Sequence, residues 1–353
     1  MFLAIALALL LPQSTAIDYA KAHTEKRITP VRISEPITID GQLTEAAWSS
    51  APTAGRFTQS EPAEGAPPSE PTEVRIMYDA DNLYFGIVAH DRDPGKIIVN
   101  DLKKDFEMAQ GDNIEIALDT FHDGRNGYMF ATNPAGAKWD AQMGNEGREM
   151  NASWDGVWLA KSRIVGDGWV TEIAIPFKTL KFRGADKQTW GMNIRRTIRR
   201  YNEEDYWAPL PRIFNIERVS YAGTLENLEG IRPGLNLKLK PYFITSLART
   251  GTNPTRKDGD VGGDIKFGVT SGLTWDFTYN TDFSQVEADT QQINLTRFSL
   301  FFPEKRDFFL ENSGVFIFGN NEGRGPVAST RKGERPEDRE RWVAGGRTTY
   351  RAT

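Results

Sequence analysis

The chain of 353 residues contains no cysteine. Disulfides, thiolate metal sites and a cysteine nucleophile are therefore excluded. Its three histidines, His23, His90 and His122, are too few for a histidine-rich metal centre. An excess of positive charge is also missing: 43 Lys and Arg stand against 48 Asp and Glu, a net charge of −5. That balance lacks the basic footprint of a general nucleic-acid binder. No stretch reaches the ~18 apolar residues of a transmembrane helix. What the chain does hold is 32 Gly, 19 Pro and 9 Trp, the composition of many turns with rigid aromatic plates between them.

The unbroken apolar run from Phe2 to Leu11 is too short to span a bilayer, which takes ~20 residues. It fits the apolar region of a secretory signal peptide, with Ser14-x-Ala16 as a small-residue cleavage site, although no Lys or Arg precedes it. Residues 1–20 are accordingly expected to direct export.

Between residues 30 and 225 the pattern is strand and turn. Val74–Tyr78 and Leu83–Ala89 flank the turn Asp79-Ala80-Asp81-Asn82 and read as a hairpin. Asn113–Asp119 places Ile114, Ile116 and Leu118 on one face and Glu115 on the other. Gly127–Asn133, Trp158–Val165, Trp169–Ile175 and Trp190–Ile198 read as further strands. Helix signals are confined to single turns at Leu43–Ala47 and Pro176–Leu180. The proline-rich residues 59–71 read as a polar loop. Short strands separated by Gly, Asp and Asn turns predict an all-β fold, an antiparallel β-sandwich.

Five blocks in this region carry a resemblance. They are Ile39-Asp40-Gly41-x-Leu43-x-Glu45-x-x-Trp48, Tyr78-Asp79-x-Asp81-Asn82-Leu83-Tyr84, Gly111–Ile116, Trp169-x-x-Glu172-x-x-Ile175-Pro176-Phe177 and Trp190-Gly191-x-Asn193-Ile194-x-Arg196. Together, and in this order, they resemble the family 9 carbohydrate-binding-like domain. The resemblance implies a glycan ligand, an oligosaccharide or polysaccharide. A Trp ring can cover the apolar face of a sugar while amides and carboxylates accept from its hydroxyls. Trp139 and Trp154, in stretches rich in Gly, Asp and Asn, are the candidate plates, with Asn133 and Asp140 as neighbouring hydrogen-bonding groups. Trp48, Trp158, Trp169 and Trp190 sit at strand edges beside apolar residues and read as core. The resemblance also implies possible calcium, for which Asp79, Asp81 and Asp112 are candidate ligands; the same carboxylates equally suit turn caps.

A hydrolase acting on glycosidic bonds in carbohydrate catabolism stays open as an alternative. It needs two carboxyls facing each other across a cleft. Asp112 and Glu115, three apart on a strand, point to opposite faces. A structural or interaction domain without a sugar ligand is the other alternative. Arg195, Arg196, Arg199 and Arg200 read as a solvated edge strand or an interdomain ion pair.

After Gly230 the texture changes. Leu235, Leu237 and Leu239 alternate with polar residues, as do Ile265, Phe267 and Val269, then Leu273, Trp275, Phe277 and Tyr279. This alternation fits transmembrane β-barrel strands and equally a soluble sheet with one wet face. The blocks Asp282–Asp289, Gln292–Phe298 and Phe301–Glu311 resemble bacterial outer-membrane proteins in which a family 9-like domain precedes a barrel. Residues 231–320 are thus expected to begin an outer-membrane barrel, left incomplete because a closed one needs at least eight strands. Residues 321–353, rich in Arg, Glu and Gly, read as a disordered tail of what looks like a truncated product. The implied location is the periplasm or the cell outer membrane.

Overall fold

A computed structural model describes residues 17–231, 237–248, 256–270 and 273–280. Residues 1–16 of the expected signal segment, the blocks from residue 282 onward and the tail lie outside these residues. The short elements at the start are α1 (Tyr19–Glu25), β1 (Arg27–Ile28), β2 (Val31–Arg32), α2 (Ala46–Ser50), β3 (Thr53–Ala54) and β4 (Thr58–Glu61). The main strands follow: β5 (Thr72–Tyr78), β6 (Asn82–His90), β7 (Asn113–Asp119), β8 (Gly127–Thr132), β9 (Lys138–Gly144), β10 (Glu149–Asn151), β11 (Leu159–Val165), β12 (Gly168–Pro176), β13 (Lys187–Ile198), β14 (Glu203–Tyr206) and β15 (Gly223–Glu229). Three more, β16 (Lys238–Ala248), β17 (Arg256–Thr270) and β18 (Leu273–Tyr279), form a separate sheet.

The first fifteen strands make two sheets. One runs β1-β15-β13-β7-β8-β9-β10, with β14 joined to β13 and β4 joined to β14. The other runs β11-β12-β6-β5-β2, with β3 on β5. All pairings are antiparallel except β1 with β15 and β2 with β5. Between the sheets lies one core, in which Ile76, Phe85 and Ile87 of one sheet meet Ile114, Ile116, Phe130 and Ile194 of the other. Trp48, Trp158, Trp169 and Trp190 are all buried, as their strand-edge settings predicted. Among the described residues the fold is all-β, with only short helices and helical turns.

Both outer faces are also covered. On the β7 side, Ala117, Met129 and Met143 pack under Tyr206 of β14 and Leu210, Ile216 and Val219 of the connection after it. On the β6 side, Trp48 and Ile37 pack on Met77, Tyr84 and Ala174. Double coverage explains why β7 is buried along its whole length although its sequence alternates. Gly86 is what lets Trp48 lie flat on β6: a Cβ there would stand 2.7 Å from the Trp48 ring and 2.6 Å from Leu43. Gly86→Ala is therefore expected to lower stability by about 1–3 kcal/mol through overpacking, measured by denaturant unfolding.

Four expectations need correction. The stretch around Trp139 is strand β9, because its residues 138–143 pair along β8. Gln59–Glu61, expected in a loop, belong to β4 and pair with β14; the prolines begin only at Pro62, past the strand end. The helical turn expected at Leu43–Ala47 lies at Ala46–Ser50. The Arg cluster is not on an edge strand: at Arg195 and Arg196 β13 is flanked by β14 and β7, and Arg199 and Arg200 lie in the helical turn that follows. Arg195 pairs with the buried Glu115 on the outer face, Nε to Oε1 at 2.9 Å, while Arg196 points inward and is 1% exposed.

Candidate functional site

The motif blocks turn out to be pins. Glu172 on β12 accepts through Oε2 from the backbone N–H groups of Asp40, Gly41 and Gln42 at 2.9, 2.8 and 3.3 Å. Its Oε1 accepts from Trp48 Nε1 at 3.1 Å. One carboxylate thus ties the first block to the fourth. Asp79 accepts from the N–H groups of Asp81 and Asn82, both at 2.7 Å, and from the Tyr84 hydroxyl at 2.7 Å. Asn193 joins β13 to the strap over the outer face through Ala208, accepting from its N–H and donating to its carbonyl, each at 2.9 Å.

These bonds also correct the expected calcium ligands. Asp79 and Asp81 form the turn before β6, whereas Asp112 lies near Asp91, the residue just past the other end of β6. Nine residues at ~3.4 Å each separate the two ends by ~30 Å. The three carboxylates therefore cannot share one ion. Asp79 is taken up as a turn cap, and Asp112 accepts from the Arg199 N–H at 2.8 Å.

The four expected sugar contacts are not brought together either. In β9 the even positions face the core and the odd ones the outer face. Trp139 is half-buried on the outer face, against Ala131, Ala137 and Phe106. Trp154 lies on the inner side, 8% exposed, its ring 5.1 Å from Tyr128 and 6.0 Å from Phe130. The two indoles flank opposite faces of one sheet and cannot form a sandwich. Asn133 is buried and spent on its turn, accepting from the N–H groups of Ala135 and Ala137 and donating to the Asp101 carbonyl. Asp140 is fully buried and accepts from Gly156 N–H at 2.6 Å and Trp158 Nε1 at 3.2 Å. Its role is to hold the loop that carries Trp154. Burial raises the Asp140 carboxyl above its ordinary value, against the pull of these donors and of Lys104.

A different set of residues converges beside Trp154. Gln142 on β9 stands opposite Tyr128 on one side and Asn151 on the other. Glu149, two residues before Asn151, projects from the same face of β10. All three are half-buried. Gln142 Oε1, Glu149 Oε2 and Asn151 Oδ1 have no hydrogen-bond partner among the described residues. A buried acceptor left without a donor costs about 1–3 kcal/mol, so three on one sheet edge form an unusual concentration. Burial raises the Glu149 carboxyl, opposed by the charge of Arg125. The Trp154 backbone N–H donates to the Asn151 carbonyl at 3.3 Å, closing the turn after β10, and the Trp154 ring lies against Tyr128, the residue opposite Gln142. Sequence reasoning found Trp154 and missed the other three, because it read the segment as a loop and so did not see which side chains share a face.

Residues 39–202 match the family described as carbohydrate family 9 binding domain-like. The matched segment contains the Glu172 and Asp79 pins and the whole Gln142–Trp154 edge. Residues 233–340 match a second family, described as a domain of unknown function (DUF5916). No curated protein matches the chain. Among solved structures, a family 9 carbohydrate-binding module of Caldicellulosiruptor kristjanssonii in complex with glucose is 17% identical, with a TM-score of 0.42. That match covers 59% of this chain and 96% of the module. The same module with cellotriose gives 17% identity and a TM-score of 0.41, over 59% and 94% of the two chains. A putative carbohydrate-binding protein of Bacteroides uniformis is 12% identical, with a TM-score of 0.47, over 57% of this chain and 98% of that one.

Proposed function

We propose that the sandwich binds a glycan at the β9–β10 edge, through Gln142, Glu149 and Asn151 beside the Trp154 and Tyr128 rings. The observation that carries this reading is the row of acceptors without donors. Saccharides are dense in hydroxyl donors on a ring with apolar faces, which suits acceptors set beside aromatic rings. The family match over residues 39–202 supports the same ligand class. The protein acts as a binding module: it captures an oligosaccharide or polysaccharide and leaves it intact.

The test is a glycan array on the full chain, followed by titration calorimetry on the best ligand. Gln142→Ala and Asn151→Ala are each expected to weaken binding about 3- to 10-fold, the loss of one neutral hydrogen bond. Trp139→Ala, on the opposite face of the sheet, is expected to leave affinity unchanged. Loss of binding in Trp139→Ala with no change in the other two would move the site to the outer face.

We further infer that the second sheet begins an outer-membrane β-barrel, so that the exported sandwich is held at the periplasmic side of that membrane. Its three strands are two-faced. Leu239, Ile265 and Phe277 form one cross-strand row, with Phe267 and Trp275 in the next, and all five are exposed. Lys240, Asp264 and Thr278 occupy the other face, where the Thr278 hydroxyl donates to Asp264 at 2.6 Å. An apolar face toward lipid and a polar face toward a lumen is the barrel pattern. In vesicles of brominated phosphatidylcholine, the full chain is expected to show quenched tryptophan emission, and Trp275→Phe to remove part of that quenching. Equal quenching in both proteins would count against lipid contact at this face.

A further inference from the structure

Glu149 differs in kind from its neighbours at the β9–β10 edge. Gln142 and Asn151 carry amides, which can turn either an acceptor or a donor toward a ligand. An ionised carboxylate can only accept. Among the described residues Glu149 has no hydrogen bond and no ion pair, although it is half-buried. Arg125 acts on it by charge at longer range and is itself exposed, donating to Asn145 Oδ1 at 3.4 Å. The carboxylate is thus uncompensated at short range and shares a face with Asn151, one strand from Gln142.

We infer that Glu149 makes this edge select glycans that present donors to it, amino sugars above neutral ones, and reject acidic sugars. The inference rests on the saccharide reading above. A ligand ammonium brings both a donor and a charge of opposite sign into partly desolvated surroundings, where such pairs are strongest. A uronate or sulfate brings a like charge to a carboxylate that lacks a close cation, and like charges meeting in a binding site discriminate sharply between ligands. Arg125 moderates the effect, since its charge opposes that of Glu149.

The experiment titrates three trimers into the full chain at one pH and fixed ionic strength: a glucosamine trimer, a neutral glucose trimer and a glucuronic acid trimer. The amino trimer is expected to bind at least tenfold tighter than the acidic one, with the neutral trimer between. Glu149→Gln is expected to bring the amino-to-acid ratio within about threefold, and Arg125→Ala to widen it. Glu35→Gln, at an exposed position of the same chain, makes the same change in net charge and is expected to leave the ratio alone. An unchanged ratio in Glu149→Gln, or an equal narrowing in Glu35→Gln, would overturn the assignment to Glu149. Equal binding of all three trimers by the unmodified chain would overturn the selectivity while keeping the saccharide site. Absence of binding by all three would overturn both.

Discussion

Glu172→Ala is expected to lower the melting temperature of the sandwich by about 6 to 20 °C. The substitution takes away the acceptor for four donors at once: three consecutive backbone N–H groups at Asp40–Gln42 and the indole N–H of Trp48. Trp48 is 2% exposed and Gly41 is buried, so neither donor gains water in exchange. Each buried donor stranded in this way costs about 1–3 kcal/mol. With partial hydration of the Asp40 and Gln42 amides, the sum is about 3–5 kcal/mol, and a domain of this size loses about 2–4 °C per kcal/mol. Glu172→Gln separates charge from shape. Its amide keeps one acceptor but turns an NH2 group toward either the backbone donors or the indole, so about half of the loss is expected. Thermal unfolding followed by tryptophan emission measures both. A loss under about 1 kcal/mol in Glu172→Ala would mean that packing of Trp48 on Gly86, and not the carboxylate, holds this segment to the sheet.

That pin also shows what was legible before the structure. The five blocks announced the sandwich because they hold residues that tie its parts together: Glu172 to the first block, Asp79 to its own turn, Asn193 to the strap, Glu115 to Arg195 on the next strand. Strands with one clean apolar face, such as Asn113–Asp119, could be bounded to the residue. β9 could not, because its core-facing positions are Lys138, Asp140 and Gln142, polar residues that read as a loop until their partners are known. Lys138 lies over the Trp158 ring and donates to the Trp158 carbonyl, and Asp140 anchors the following loop, so their inward side chains are satisfied by contacts distant in sequence. The same mistake of period hid the candidate site. Without a strand assignment, Gln142, Glu149 and Asn151 share no face, and Trp139 and Trp154 look like partners when they stand on opposite sides of a sheet.

The second large effect is one of pH. Asp205 on β14 is fully buried and stands opposite Arg196 in the ladder, yet among the described residues no donor reaches either of its oxygens, and its side-chain hydrogen bond is with the Glu203 carboxyl, which requires a proton between the two. Arg196 is committed elsewhere. Its guanidinium donates to the carbonyls of Glu70, Pro71 and His90 and to the Thr72 hydroxyl, joining the two sheets at this end. Burial, then the charge of Glu203, push Asp205 up to about 8, against the attraction of Arg196. Between the ordinary aspartate value near 4 and about 8 the folded chain therefore holds a proton that the unfolded chain has released. Stability from this group is complete below about 4, falls as pH rises through the window, and is lost above about 8. The limit set by such a displacement is about 6 kcal/mol; relaxation and water entry around a buried charge reduce it, and about 2–4 kcal/mol is expected. Asp205→Asn copies the protonated side chain and cannot ionise. It is expected to match the unmodified chain within about 1 kcal/mol at pH 4 and to exceed it by about 2–4 kcal/mol at pH 9, measured by denaturant unfolding at both values. A difference that stays constant across the range would place the alkaline loss on other groups and leave Asp205 charged in the fold, paired with Arg196 by field alone.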